Sequence, residues 1–229
     1  MNTLTNIKEN GYDILSNWLA PDVLANVQRI CDNTPIAMGE TWACEYKPAL
    51  DAAEYMHYWT NTVIEDHYIK DYVLTPIKLI VDDMMGQDQF VQRGADFKVT
   101  NPTSSFMYVH FDTPYRHDRW ANDWGDEILG LQVGIALDRF DLISGGTRLL
   151  PGSHKRVYLK PDMEAGIHNQ EFLDHGHSMI LEPGDMFIYH SRTMHSTMPN
   201  LSNVPRRLML CLHINKTVID ELTEIESGR

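Results

Sequence analysis

In the stretch Tyr108-Val109-His110-Phe111-Asp112 an imidazole and a carboxylate stand two residues apart. On an extended chain, residues i and i+2 point to the same side, so His110 and Asp112 aim at one point. Two histidines and one carboxylate on one face of an ion form the set that holds Fe(II) with open positions for reactants. A second histidine must therefore come from elsewhere, and His190 and His195 compete for the place. His190 ends the apolar run Met186-Phe187-Ile188-Tyr189 and has no companion binding residues. His195 has Thr197 on the same face of its strand, and Arg206 follows across the turn Pro199–Pro205. A guanidinium fork with a hydroxyl suits a carboxylate, so a dicarboxylate bound to the metal at one end would meet Arg206 at the other. His195 is accordingly the expected third ligand, and His190 a packing residue or one that supports the ligands from behind.

Two further groups of residues ask for a reading. His175 and His177 form a His-x-His pair, but the sequence offers no further ligands for a zinc ion there. A solvated turn with Asp174 and Gly176 is the expectation. Directly after the metal pair comes Thr113-Pro114-Tyr115-Arg116-His117-Asp118-Arg119-Trp120. Two readings of this loop stand. Arg116, His117 or Arg119 binds an anionic group of a substrate while Trp120 covers the pocket, or the cations pair with Asp118, Asp123, Asp126 and Glu127.

These residues need a scaffold, and the chain supplies one in two parts. The N-terminal part, 1–88, reads as a mostly helical lead-in with one short strand, Gly11–Leu15. Pro21 opens a helix whose apolar face is Val23, Leu24, Val27, Ile30 and Cys31. A second helix carries Ile64, Tyr68, Ile69 and Tyr72. A third has Thr75 as cap, Pro76 at its first position and Gly86 after its end. Residues 33–57 are ambiguous, with Trp42, Cys44 and Tyr46 in alternation. From 89 to 214 the pattern changes to strands, expected at 89–100, 104–112, 128–137, 146–150, 178–182, 185–190, 194–198 and 206–214. Gly145-Gly146, Pro151-Gly152, Pro183-Gly184-Asp185 and Pro199-Asn200 separate them. Residues 215–229 form a tail. The fold class is mainly β with flanking α: a two-sheet jelly roll, or double-stranded β-helix, with the helices packed outside.

Composition narrows the partners. The 229 residues suit a single domain, and 43% hydrophobic residues suffice for its core. A net charge of −13 argues against nucleic acid and anionic membranes. No apolar run approaches the roughly 18 residues of a membrane span. The polar start, Met1 to Asn6, lacks the pattern of a signal peptide. Cys31, Cys44 and Cys211 are odd in number and share no metal-type spacing, so they read as reduced thiols of a cytoplasmic protein. The expected partner is a small molecule, with the chain a monomer or homodimer.

At this point the sequence resembles the phytanoyl-CoA dioxygenase family of Fe(II)/2-oxoglutarate oxygenases. Asn6 to Tyr12 with Leu19-Ala20-Pro21 looks like its opening strand and helix, and His110-Phe111-Asp112 sits where its metal motif would be. Most specific is Ile135-Ala136-Leu137-Asp138 followed by Gly145 to Lys155. Glu182-Pro183-Gly184-Asp185, His190, His195, Pro199-Asn200 and Pro205-Arg206-Arg207 continue in family order. The resemblance implies that His110, Asp112 and His195 bind Fe(II), and that Arg206 with Thr197 holds the distal carboxylate of 2-oxoglutarate. It implies a dioxygenase that uses O2, releases succinate and CO2, and hydroxylates a C–H bond of its substrate. The alternatives are a non-catalytic metal- or metabolite-binding protein on the same fold, or a metal-dependent oxygenase that does not use 2-oxoglutarate. Arg207 falls on the other face of its strand and reads as a surface ion pair, and Pro151–Lys155 as a turn that fixes the following strand. Gly134 departs from the bulky aromatic residue that relatives often carry: it widens the pocket or marks close backbone packing. The chain is also short for the family. Asp112 argues against the halogenating relatives, which have a small residue here.

Overall fold

The structure, a computed structural model, describes residues 3–40, 57–104, 107, 109–112, 127–156 and 166–219. Trp42, Cys44, Tyr46, Phe106, Tyr108, the whole Thr113–Trp120 loop and residues 220–229 lie outside the described residues.

The first part of the chain alternates helix and strand. Helix α1 (Thr3–Asn10) leads into β1 (Tyr12–Leu15), and α2 (Pro21–Asn33) starts with Pro21 in its first turn. Strands β2 (Ile36–Glu40) and β3 (His57–Thr60) follow. The lead-in thus contributes three strands as well as helices. Next comes one continuous helical stretch: α3 (His67–Ile69), a π-type segment (Lys70–Leu74) and α4 (Thr75–Met85). The expectation that Thr75 caps a separate helix is therefore corrected. Thr75 has helical angles (φ −62, ψ −48), and the cap is Asp66, whose carboxylate accepts the Ile69 N–H at 2.9 Å. Pro76 has no N–H to give to the preceding turn. The widened turn, in which the Thr75 N–H reaches back to the Lys70 carbonyl, carries the chain past it unbroken.

Seven strands form the larger sheet in the order β1-β8-β5-β10-β4-β3-β2, with β4 (Phe90–Thr100), β5 (Gly130–Ala136), β8 (Met186–His190) and β10 (Arg206–Asn215). The smaller sheet is β7-β6-β9, with β6 (Thr147–Leu149), β7 (His177–Ser178) and β9 (His195–Thr197). A short helix, α5 (Asn169–His175), precedes β7, so His175 closes a helix instead of lying in an open turn. All strand pairs are antiparallel, and the two sheets with helices outside make the expected cupin-like jelly roll. The expected strand 178–182 shortens to β7 plus an isolated bridge between Phe140 and Leu181.

Alternation along β4 and β10 explains the layers. Ala95, Phe97, Met209 and Cys211 face the helices, where Ile7, Val27, Ile69, Ile77 and Val81 cover them. Leu208 on the opposite face packs with Ala136, Phe140, Leu149, Phe187 and Tyr189 between the sheets. Arg206 shares the inner face with Leu208, and Arg207 takes the outer one. Gly134 resolves as close packing. A Cβ there would lie 2.1 Å from the Phe187 ring, which fills the space a side chain would need.

Candidate metal centre

The stretch around His110 forms no long strand among the described residues, but it runs antiparallel beside β9. Met107 N–H donates to the Thr197 carbonyl, and Asp112 N–H to that of Ser191, each at 3.0 Å. Between them His110 and His195 stand directly opposite. Each N–H donates to the other's carbonyl, at 3.0 and 2.9 Å. Residues paired in this way put their side chains on the same side, and the two imidazole rings lie 4.2 Å apart. Asp112, two residues on, returns to that side. Its Oδ1 is 3.5 Å from His195 Nε2. One ligand atom from each of His110, Asp112 and His195 lies within 4.8 Å of the other two.

The protonation pattern suits a cation. His195 Nδ1 is 3.0 Å from the Thr193 carbonyl, which can only accept. The proton is therefore on Nδ1, and the Nε2 lone pair faces Asp112. Asp112 Oδ2 is buried and has no hydrogen-bond partner among the described residues. Such an orphan costs about 1–3 kcal/mol, and a cation in the cluster removes the cost. Burial works to raise the Asp112 carboxyl, but positive charge at the His195 and His110 positions and hydrogen bonds to the carboxylate outweigh it, so its pKa lies below the ordinary carboxylate value; with the rings neutral, a bound cation is what would supply that charge. Two nitrogens and one carboxylate oxygen fit a divalent iron.

The turn that delivers His195 is tied down from several sides. The Gly11 carbonyl accepts the His190 N–H (2.8 Å) and the Thr193 hydroxyl (2.9 Å). Gly11 has φ +90, and a Cβ there would sit 2.6 Å from Thr193 Oγ1, so only glycine allows the approach. Ser153 of the Pro151–Lys155 turn accepts the Met194 N–H at 2.8 Å, just before His195. His190 itself is fully committed. Its Nε2 faces the Glu127 carbonyl at 3.1 Å and its Nδ1 accepts the Arg192 N–H at 3.0 Å.

The residues read as a carboxylate clamp, Arg206 of β10 and Thr197 of β9, each meet a partner from β4. Arg206 is 2% exposed. It donates to Thr100 Oγ1 (2.8 Å) and the Ser144 carbonyl (3.2 Å), and stacks over Phe140 at 4.8 Å. Its Nε is buried without a partner among the described residues. Burial lowers its pKa to about 10, which leaves it charged at neutral pH. Thr197 does not bond to Arg206. Its hydroxyl accepts from Lys98 Nζ at 2.9 Å. Arg207 points outward and forms a two-pronged ion pair with Asp138 (2.7 and 2.9 Å), with Asp32 also at 2.9 Å.

Lys98 is the residue that sequence reasoning missed. It is 3% exposed, touches Met107 Sδ at 3.2 Å and lies 5.2 Å over the Trp59 ring. Its signal was the run Asp96, Lys98, Thr100 at alternate positions of a strand whose other face is Ala95, Phe97 and Val99. A cavity of about 60 Å³ joins Lys98, Trp59, Thr197 and Gln132 to His110, Asp112 and His195. A larger one, about 780 Å³, opens beside Arg206, Asp138 and Tyr58 and contains none of the three cluster residues. The donor set, and not the larger volume, marks the candidate metal centre. Arg116, His117, Arg119 and Trp120 lie outside the described residues.

The phytanoyl-CoA dioxygenase model matches residues 7–208. The chain belongs to the phytanoyl-CoA dioxygenase family. These are Fe(II)/2-oxoglutarate-dependent oxygenases, and Fe(II), 2-oxoglutarate and O2 are the cofactor and co-substrates that go with the family. Over 109 residues, 40% of this chain, the sequence is 31% identical to a probable alpha-ketoglutarate-dependent hypophosphite dioxygenase of Stutzerimonas stutzeri. That match spans only 37% of the relative. The crystal structure of SnoN, a non-heme alpha ketoglutarate dependent epimerase from nogalamycin biosynthesis, aligns with a TM-score of 0.71 at 14% identity. It covers 93% of this chain and 82% of SnoN. EvdO2 from Micromonospora carbonacea var. aurantiaca, complexed with 2-oxoglutarate, aligns at 0.70 with 18% identity, over 93% of this chain and 89% of EvdO2. At these identities the structural likeness is one of fold. No helix among the described residues is long and apolar enough to cross a membrane.

Proposed function

We propose that the protein hydroxylates a C–H bond of a small-molecule metabolite, with His110, Asp112 and His195 holding Fe(II) and 2-oxoglutarate as co-substrate. The observation that carries this reading is the cluster itself: three convergent donors, one of them an unpartnered buried carboxylate oxygen, sharing a cavity with the buried Lys98 ammonium. Fe(II) in this site supplies O2 activation coupled to decarboxylation of 2-oxoglutarate to succinate and CO2. The rest is the work of the chain. The Lys98 ammonium, the Thr197 hydroxyl and the Arg206 guanidinium line one inner column, with Thr100 opposite Arg206 and Lys98 opposite Leu208 in register. They offer a dry, cationic seat for the far carboxylate of 2-oxoglutarate. Leu208, Leu210, Met107 and Trp59 line the cavity around Lys98 and Thr197 and would keep water from it. Thr113–Trp120 follow Asp112 directly in the sequence, which supports testing Arg116, His117 and Arg119 as seats for an anionic substrate group and Trp120 as its cover. Buried free thiols at Cys31 and Cys211 support a reducing, cytoplasmic setting.

Replacing Arg206 tests the seat. Arg206→Ala removes a charge-assisted contact of about 2–3 kcal/mol, so the apparent 2-oxoglutarate constant should rise roughly 30- to 150-fold. Arg206→Lys should also be poor, because a point charge cannot replace the fork. An unchanged constant in Arg206→Ala would rule out this role.

A further inference from the structure

The inner face of β8 carries a hydroxyl that the reading so far leaves unused. Tyr189 is 2% exposed, and its phenol oxygen is 3.3 Å from His195 Nε2. Asp112 Oδ1 lies 3.5 Å from the same nitrogen, and burial together with that carboxylate pushes the phenol's pKa well up. The hydroxyl therefore meets one residue of the cluster and lies beside a second. Its ring lies 4.8 Å from that of His195 and stacks on Phe187 at 6.0 Å, with an interplanar angle of 8°. Phe187 in turn occupies the space left by Gly134. The missing side chain at Gly134 thus has a consequence at the site: it seats the ring that holds Tyr189 in place.

The acceptors of this phenol can be counted. A phenol has one proton to give. Because His195 carries its proton on Nδ1, Nε2 is an acceptor, and so is Asp112. When Nε2 binds a metal its lone pair is spent. A buried hydroxyl left without an acceptor costs about 1–3 kcal/mol. The Asp112 carboxylate is then the acceptor at hand, and a bond to a charged oxygen is the stronger of the two. We infer that Tyr189 is a positioning residue of the metal centre: its hydroxyl rests between His195 and Asp112 without metal and donates to the Asp112 carboxylate with it. That bond would fix the carboxylate's rotation and occupy one of its oxygens. Asp112 then offers the ion a single oxygen, which leaves neighbouring positions for reactants. The inference rests on the proposed assignment of His110, Asp112 and His195 as ligands.

Tyr189→Phe deletes only the hydroxyl and keeps the ring. Anaerobic Co(II), whose visible bands report ligand geometry, is the probe. Loss of an outer hydrogen bond to a ligand typically weakens metal binding about 10- to 100-fold, and that is the expected result, together with displaced bands. Tyr12→Phe is the control. Tyr12 is the cross-strand neighbour of Tyr189, and its hydroxyl meets His177 Nδ1 at 3.2 Å instead of a ligand. Its affinity and bands should match wild type. Tyr189→Phe binding within twofold of wild type, with the same bands, overturns the inference and leaves the ligand assignment standing. Wild type that takes up no Co(II), or His195→Ala that takes up as much as wild type, overturns the assignment and the inference with it. A separate measurement needs no variant: Zn(II) added to wild type should produce a tyrosine ultraviolet difference band, and its absence also overturns the inference.

Discussion

His190 and His195 sit at the two ends of one turn, both nearly excluded from water, at 3% and 6% exposure. Their surroundings make them different chemical objects. His190 has both ring nitrogens engaged by backbone, the Glu127 carbonyl on one side and the Arg192 N–H on the other. His195 spends only Nδ1 on backbone and turns Nε2 towards Asp112. A buried histidine with both nitrogens committed staples a turn. One whose second nitrogen meets only a carboxylate and a phenol hydroxyl that can turn away is ready to hold an ion. The distinction comes from counting hydrogen bonds, and burial alone would not reveal it.

Alanine at each position should separate the two roles. His195→Ala is expected to lose metal binding outright while keeping the fold. His190→Ala should still bind metal, but its stability should fall by about 2–4 kcal/mol, since a buried donor and acceptor are left unmatched. Metal titration and denaturant unfolding of both variants measure this. Metal binding that survives at His195→Ala and vanishes at His190→Ala would reverse the assignment.

A second effect should appear in acid. Burial lowers the His190 pKa to about 3, against 6.5 for an ordinary histidine, even though the Glu127 carbonyl favours the charged ring. Burial likewise lowers His213 to about 4. Both rings stay neutral in the folded chain while the unfolded chain takes up protons below about pH 6.5. Stability is therefore fully present above that pH and falls as the pH drops from 6.5 towards 4 and 3, with a slope of about 1.4 kcal/mol per pH unit for each proton. His190→Gln should lose about half of this slope between pH 6.5 and 4, read as unfolding midpoints across pH. An unchanged slope would mean that His190 is not held neutral.

How much of this was legible in the sequence follows from which contacts are local. The His110-x-Asp112 pair could be read because extended chain returns every second side chain to one face. His195 could be chosen over His190 through Thr197 and Arg206, and the hydrogen bonds later supplied an independent reason. Lys98 and Tyr189 were not legible in the same way. A lysine in a strand reads as surface and a tyrosine as core until the cross-strand register puts both beside the cluster. Gly134 left two readings open, because the ring that fills its space comes from Phe187 on the neighbouring strand. The Thr75-Pro76 signal misled for a local reason: a proline that commonly starts a helix here sits inside one, tolerated by a π-type turn. The pairing of Thr197 with Arg206 assumed a hairpin contact, whereas β4 inserts Lys98 and Thr100 as their partners.

The central claim is that His110, Asp112 and His195 hold the iron at which 2-oxoglutarate is consumed. Its most direct test is anaerobic loading with Fe(II) and 2-oxoglutarate, followed by O2 and a metabolite screen that reads succinate. The account predicts one Fe(II) per chain, succinate formed in step with 2-oxoglutarate consumed, and a rise in that rate with the right metabolite. Alanine at any of the three residues should abolish it. Succinate release that persists in all three variants, or none in wild type with Fe(II) bound, would contradict the account.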